Sequence, residues 1–375
     1  MIRTFAHSFD PASANPIKGP VAELTTDEIE DAGIREVLQT PGATLGSWAI
    51  LDALLVPTGP GSPFVFREPL GQAREVKVAL SGLFGRFVAR AYLERYFGLS
   101  IFAHLGQRVF LLNGKRRVEV KRKTRGDLPD WIACDSQLKK ITIAEAKGCH
   151  DKQGPDKALA RAWLQADRID IVSGDKKATA KRVAIATRWG ASQGGAREAL
   201  LAVRDPDDQG EMTPEELGVA ALGITRLHLA SLLKALGYDA LADSLRTLVS
   251  VRRDSAQTNA RQAAVSALNS ALVQEIGGLP DATTIPTDGL LGAWVTRAGP
   301  IGERAVSKVD QETLQRLDLR PVFVGIERNL INAAISDDPD TVRHLMTSER
   351  AVTGPVRIDG GVTWMVRPTD GTTIE

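Results

Sequence analysis

Gly126-Asp127-Leu128-Pro129-Asp130-Trp131-Ile132-Ala133-Cys134-Asp135 and, after a short turn, Ile141-Thr142-Ile143-Ala144-Glu145-Ala146-Lys147-Gly148 both read as strands. Side chains two apart in a strand point the same way. Ile141, Ile143, Glu145 and Lys147 therefore share one face, with Thr142, Ala144 and Ala146 on the other. A carboxylate and an ammonium at the end of an apolar face are oddly placed for simple packing. A hairpin centred between Gln137 and Leu138 pairs Asp135 with Lys140 and sets Asp130 opposite Glu145. Cross-strand partners hold their Cβ atoms about 4.5–5.5 Å apart. Two carboxylates that close repel unless a proton or a cation lies between them. A hard divalent ion such as Mg²⁺ accepts such oxygens and keeps waters in its other positions. Asp127 competes with Asp130 for this place, and the odd separation of Asp130 from Glu145 favours Asp130 in any hairpin with an even loop.

Working outward, residues 81–97 have helical spacing, with Phe84, Phe87, Val88 and Ala91 on one stripe and Gly98 just past the end. Arg108–Leu112 and Arg116–Val120 flank Asn113-Gly114, a strong hairpin signal. A helix over 156–167 and a short strand over 183–187 follow. The order is helix, three or four strands, helix, strand.

This pattern resembles the PD-(D/E)XK nuclease superfamily, whose signature is a carboxylate, a variable spacer and then Glu-x-Lys or Asp-x-Lys. Pro129-Asp130 supplies the first part and Glu145-Ala146-Lys147 the second, and the likeness extends over roughly residues 81–190. It implies an α/β fold with a restriction-endonuclease-like core, a mixed central sheet flanked by helices. It also implies a phosphodiester hydrolase in which Asp130 and Glu145 bind Mg²⁺ (or Mn²⁺), helped by the carbonyl of Ala146. Lys147 would orient or deprotonate the attacking water, or stabilise the charged phosphate. DNA is the implied partner, with RNA as the alternative, and a bacterial restriction or anti-phage defence effector is the implied setting. Many members carry a glutamate after a glycine on the preceding helix, whereas here Arg86 follows Gly85. That departure keeps a second expectation open, a catalytically inactive nuclease-like subunit that binds nucleic acid or acts as a scaffold.

Glu94 lies seven residues beyond Phe87, on the inward stripe, and is the metal-ligand candidate of that helix; an exposed glutamate is the plainer alternative. Between Lys115 and Arg125 seven basic residues (Lys115, Arg116, Arg117, Lys121, Arg122, Lys123, Arg125) meet one acid, Glu119. Such a cluster suits sequence-independent phosphate binding, although lysine-rich strands also merely block edge pairing. Lys157, Arg161 and Gln165 recur every four residues on the following helix, positioned either for phosphate contact or as a solvated face.

The remainder bounds these expectations. Net charge is +1, so attraction to nucleic acid must come from local clusters. Apolar content of 43% with 25% charged residues excludes wholesale disorder. Cys134 and Cys149 are too few for a disulfide framework or a structural zinc site. Neither a signal peptide nor a membrane span is legible, so a soluble cytoplasmic protein is expected. Thr26-Asp27-Glu28-Ile29-Glu30 looks like a capped helix start, an apolar run covers 47–55, and the Pro/Gly-rich 57–63 marks a loop. Thr213-Pro214-Glu215-Glu216 begins a set of helices after an acidic link at 205–211. The expected division is 1–75 as an N-terminal accessory region, 76–192 as the nuclease-like domain, 193–280 as a helical region and 281–375 as a C-terminal α+β region. The last would contact a protein partner or a second copy.

Overall fold

The structure, a computed structural model, describes residues 2–9, 20–40, 62–63, 65–66, 74–106, 110–150, 155–191, 198–206, 210–271, 289–296, 299–300, 322–348 and 356–366. The apolar run at 47–55 and most of the expected loop at 57–63 lie outside these residues. In chain order the first elements are β1 (Ile2–Phe9), β2 (Val21–Thr25), α1 (Thr26–Gln39), β3 (Ser62–Pro63), β4 (Val65–Phe66) and α2 (Arg74–Phe97). There follow β5 (Leu99–His104), β6 (Leu111–Asn113), β7 (Val118–Arg122), β8 (Trp131–Asp135), β9 (Ile141–Cys149) and α3 (Asp156–Ala166). Next come β10 (Ile169–Ser173), β11 (Lys176–Lys177), β12 (Ala180–Arg188), β13 (Gly190–Ala191) and β14 (Leu200–Arg204). Three helices, α4 (Pro214–Ala235), α5 (Asp239–Ser250) and α6 (Asp254–Ser270), lead to β15 (Leu290–Thr296) and β16 (Gly299–Pro300). The last are β17 (Val322–Glu327), α7 (Arg328–Ser336), α8 (Pro339–Thr347), β18 (Val356–Asp359) and β19 (Thr363–Val366).

The molecule is mixed α/β. Its main sheet has the order β2-β1-β14-β12-β9-β8-β5, with β3 also on β1. Pairing is parallel for β9 with β12 and for β1 with β14, and antiparallel for β8 with β9, β5 with β8 and β12 with β14. This mixed sheet, flanked by helices, agrees with the coarse expectation. It also crosses two expected boundaries: β1, β2 and β3 come from 1–75, and β14 from 193–280. Strands so distant in sequence carry no local sign that they share a sheet.

Local chemistry explains the helices that matter here. Thr25, one residue before the expected start, caps α1: its hydroxyl accepts from the Glu28 N–H at 3.0 Å, and its own N–H donates to the Glu28 carboxylate at 2.6 Å. The Thr213–Glu216 pair repeats this at α4. Helix α2 buries Phe84, Phe87, Val88 and Ala91, each worth about 1.5–3 kcal/mol for the larger side chains, against α1 and β9. Among the described residues α4 alone is long and apolar enough to cross a membrane, but 67% of that window is buried inside, where it packs on α5, β5 and β6.

The β6–β7 hairpin forms, with a different turn from the one expected. Asn113 stays in the strand and accepts the Arg116 N–H, while Gly114–Arg117 make the turn, with Arg117 left-handed at φ 53°. Gly114 is required for another reason: a Cβ there would lie 2.3 Å from the Val251 carbonyl oxygen. These strands join β10 and β11 in a separate four-stranded sheet, β11-β10-β7-β6. A five-stranded sheet, β16-β15-β17-β19-β18, makes up the C-terminal part with α7 and α8.

Candidate active site

The turn between β8 and β9 sets the site. Asp135 accepts the N–H groups of Lys139 and Lys140 at 2.8 and 3.0 Å, and Leu138 adopts a left-handed φ of 55°. The even loop fixes the register: Trp131 pairs with Ala144, Ile132 with Ile143 and Cys134 with Ile141. One step further along, Asp130 meets Glu145. The Asp130 N–H donates to Glu145 Oε2 at 2.8 Å, and the Ala146 N–H donates to Asp130 Oδ2 at 2.9 Å. Lys147 Nζ pairs with Glu145 Oε1, so the three side chains converge. Asp127 is exposed, and its carbonyl accepts from Arg168 at 2.7 Å, so Asp130 holds the place opposite Glu145.

The loop that carries Asp130 is fastened by the end of α3. Gln165 Nε2 donates to the Leu128 carbonyl at 2.5 Å, and Lys123 N donates to the Arg168 carbonyl at 2.7 Å. Gln165 thus bonds the loop behind Asp130, while Lys157 and Arg161 are exposed on the same helix.

Arg86 reaches the site because α2 touches β9 backbone to backbone. A Cβ on Gly148 would lie 1.7 Å from the Ser81 carbonyl oxygen, and one on Gly85 would lie 2.7 Å from Gly148 N. Arg86 Nε stands 3.6 Å from Asp130 Oδ1, and its Nη2 pairs with Glu36. Glu36 is fully buried and also accepts from Trp131 Nε1 (3.0 Å) and Arg90 Nη1 (3.3 Å), with His104 Nε2 at 3.1 Å.

Glu94, the expected metal ligand of α2, stands elsewhere. It binds Arg35 at 2.5 Å and Arg90 at 3.0 Å, and with Asp31, Arg357 and Asp359 it lines a cavity of about 250 Å³. It lies eight residues past Arg86, about 12 Å farther along the helix axis. Glu94 does lie on the inward stripe, but at that level the stripe faces α1 and the C-terminal sheet instead of β9. Asp359, Arg35, Glu94, Arg90, Glu36, Arg86 and Asp130 thereby form one unbroken run of ion pairs, alternating in sign.

The electrostatics follow from burial and these neighbours. Burial, and then the charge of Asp130, push the Glu145 carboxyl up to about 8 against the pull of Lys147. Burial alone would raise Glu36 too, but Arg86, His104 and Arg90 outweigh it and hold Glu36 far below the usual carboxylate range. For Arg86, burial opposes the charge, yet Glu36, Asp130 and Glu145 raise its pKa further.

No family model, curated protein or solved structure matches this chain.

The donor set can therefore be judged only on its own chemistry. Each carboxylate has one oxygen fixed by a backbone N–H, which leaves Asp130 Oδ1 and Glu145 Oε1 facing cationic groups. A carboxyl raised by burial and then by a neighbouring carboxylate fits a divalent ion, whose charge would relieve both. Among the described residues no cluster of three or more His, Cys, Asp or Glu side chains gathers at ligand spacing. Two carboxylates with waters are a usual set for Mg²⁺.

The exposed basic residues lie on the second sheet and the loop leaving it. Lys115, Arg116 and Arg117 occupy the β6–β7 turn, and Lys121, Lys123 and Arg125 lead toward Asp130. Lys115 and Lys123 already pair with Asp254 and Asp167, both at exposed positions. Sequence reasoning missed Glu36, Arg90, His104 and Trp131 as companions of the site. Glu36 lies seven residues after Ile29 on the buried stripe of α1, and that spacing was its one visible signal.

Proposed function

We propose that this chain is a metal-dependent nuclease of the PD-(D/E)XK type with a restriction-endonuclease-like core, hydrolysing phosphodiester bonds of DNA. The observation that carries the reading is the meeting of Asp130, Glu145 and Lys147 at one end of the β8–β9 hairpin. Asp130 and Glu145 would hold Mg²⁺ or Mn²⁺, which lowers the pKa of a bound water and neutralises charge on phosphate oxygens. Lys147, 35% exposed, offers an ammonium at the mouth of the site to orient that water or to meet the phosphate. Exposed Lys121, Lys123 and Arg125, in the strand and loop that precede Asp130 in the chain, suit a polyanionic substrate. A role in restriction or anti-phage defence rests on the resemblance alone, as do RNA as an alternative substrate and a protein partner at the C-terminal region.

One observation favours a second reading, a nuclease-like subunit that binds nucleic acid without cutting it: Arg86 follows Gly85 on α2, where many members of that superfamily have a glutamate after the glycine. Plasmid and single-stranded DNA incubated with Mg²⁺, Mn²⁺ or EDTA separate the two. Metal-dependent cutting that disappears in Glu145→Ala and Lys147→Ala supports the enzyme. Salt-sensitive binding without cutting supports the second reading.

A further inference from the structure

Arg86 is the one residue in the site that departs from the expected pattern, and it is strongly constrained. Thr40 Oγ1 accepts from its Nη2 at 3.3 Å, His104 Nδ1 lies 3.0 Å from the same nitrogen, and Glu36 pairs with it. Its Cζ stands 5.7 Å from the centre of the Trp131 ring, within cation–π range. Held on these sides, the guanidinium has little freedom to swing. Its side chain is 21% exposed, while Nε, the atom turned to Asp130, is buried. The 3.6 Å separation from Asp130 is an ion-pair distance and too long for a hydrogen bond, which leaves Asp130 Oδ1 able to bind an ion. The charge of Glu145, after those of Glu36 and Asp130, is felt at Arg86.

We propose that Arg86 is a resident cation of this site: a positioning residue whose fixed charge takes the place of a second divalent ion, so that Asp130 and Glu145 hold one. This rests on the metal-dependent reading above. A positive charge near two carboxylates lowers their affinity for a divalent ion and makes crowding a second ion beside the first unfavourable. In exchange, the charge is present beside Asp130 before any metal arrives and needs no reorganisation.

Mn²⁺ titration by calorimetry and electron paramagnetic resonance tests this without relying on turnover. Wild type is expected to bind one ion per chain, with binding lost in Glu145→Gln. Arg86→Gln should bind Mn²⁺ about tenfold or more tightly, and Arg86→Lys should return affinity toward wild type. Because Arg86→Gln leaves Glu36 buried beside one cation fewer, the double variant Glu36→Gln/Arg86→Gln is measured beside it, with circular dichroism to check folding. Its affinity should also rise, since Arg86 is the nearer of the two charges to Asp130. Two ions bound at Asp130 and Glu145 in wild type, or unchanged Mn²⁺ affinity in folded Arg86 variants, would overturn the role of Arg86 and leave the nuclease reading standing. Failure of wild type to bind any ion in a Glu145-dependent way sinks the metal-dependent reading itself.

Discussion

Asp130 and Glu145 clasp one another through each other's backbone: the Asp130 N–H donates to the Glu145 carboxylate at 2.8 Å, and the N–H next to Glu145, that of Ala146, donates to Asp130 at 2.9 Å. Each acid is thereby aimed by the strand that carries its partner. The meeting of the two acids is set by the hairpin register, with the loop before Asp130 tied to Gln165.

Glu145 gives this arrangement a pH signature. Its folded value of about 8 lies above its ordinary value, so the folded chain holds a proton that the unfolded chain has released. Its contribution is complete below the ordinary carboxylate range and is lost as pH rises through about 8. In EDTA, the urea midpoint of wild type should fall as pH rises from about 5 to 8. Glu145→Gln should flatten that slope. Parallel pH slopes for wild type and Glu145→Gln would contradict the assignment.

His228 shifts in the opposite sense. Burial, and then the nearby charge of Arg90, lower its pKa to about 3, with Nδ1 accepting from the Phe102 N–H at 3.0 Å. The unfolded chain takes up a proton that the folded chain refuses, so the stability due to neutral His228 is lost as pH falls from its ordinary value toward about 3. His228→Gln should lose stability less steeply than wild type over that range, read as thermal midpoints in matched buffers.

Glu36 is the buried hub behind the site. Glu36→Gln strands Arg86 and Arg90 without their shared carboxylate, a loss of about 3–5 kcal/mol. Chemical denaturation monitored by Trp fluorescence would measure it, and a change under about 1 kcal/mol would show that the hub is not needed.

Gly148 tolerates nothing larger. A methyl group there meets the Ser81 carbonyl oxygen at 1.7 Å, so Gly148→Ala must push α2 off β9. Lower thermal stability together with weaker Mn²⁺ binding is expected, whereas Gly82→Ala, which meets nothing within 4 Å, should change neither.

The basic approach can be read from salt dependence. Each lost phosphate contact should reduce the slope of log K against log salt by about 0.9 for duplex DNA. Lys121, Lys123 and Arg125 changed together to Ala should reduce it by two to three such steps in a fluorescence-anisotropy titration, while leaving Mn²⁺ binding intact.

What the residues disclose in advance is what local periodicity can carry. An alternating strand, an even loop and a Pro-Asp pair were enough to place Asp130 across from Glu145, and Thr213-Pro214 announced α4. The joining of β1 to β14 left no local trace, because parallel neighbours separated by most of the fold share no turn. Glu36 and Arg90 were hidden for another reason. Charged residues on helices usually face water, and their burial follows only from the opposite charge that a different helix brings. Glu94 misled because a stripe marks which side of a helix is inward without saying what lies opposite at each turn.

The alternating ion pairs between Asp359 and Asp130 also constrain how this protein can change. Losing any inner member leaves two groups of the same sign facing each other, as Arg86 and Arg90 would without Glu36, or Glu36 and Glu94 without Arg90. Drift in this part of the interior should proceed by compensating swaps, with an acid and a base traded together. The C-terminal sheet, remote from the hairpin in sequence, is bound by the same bookkeeping of sign.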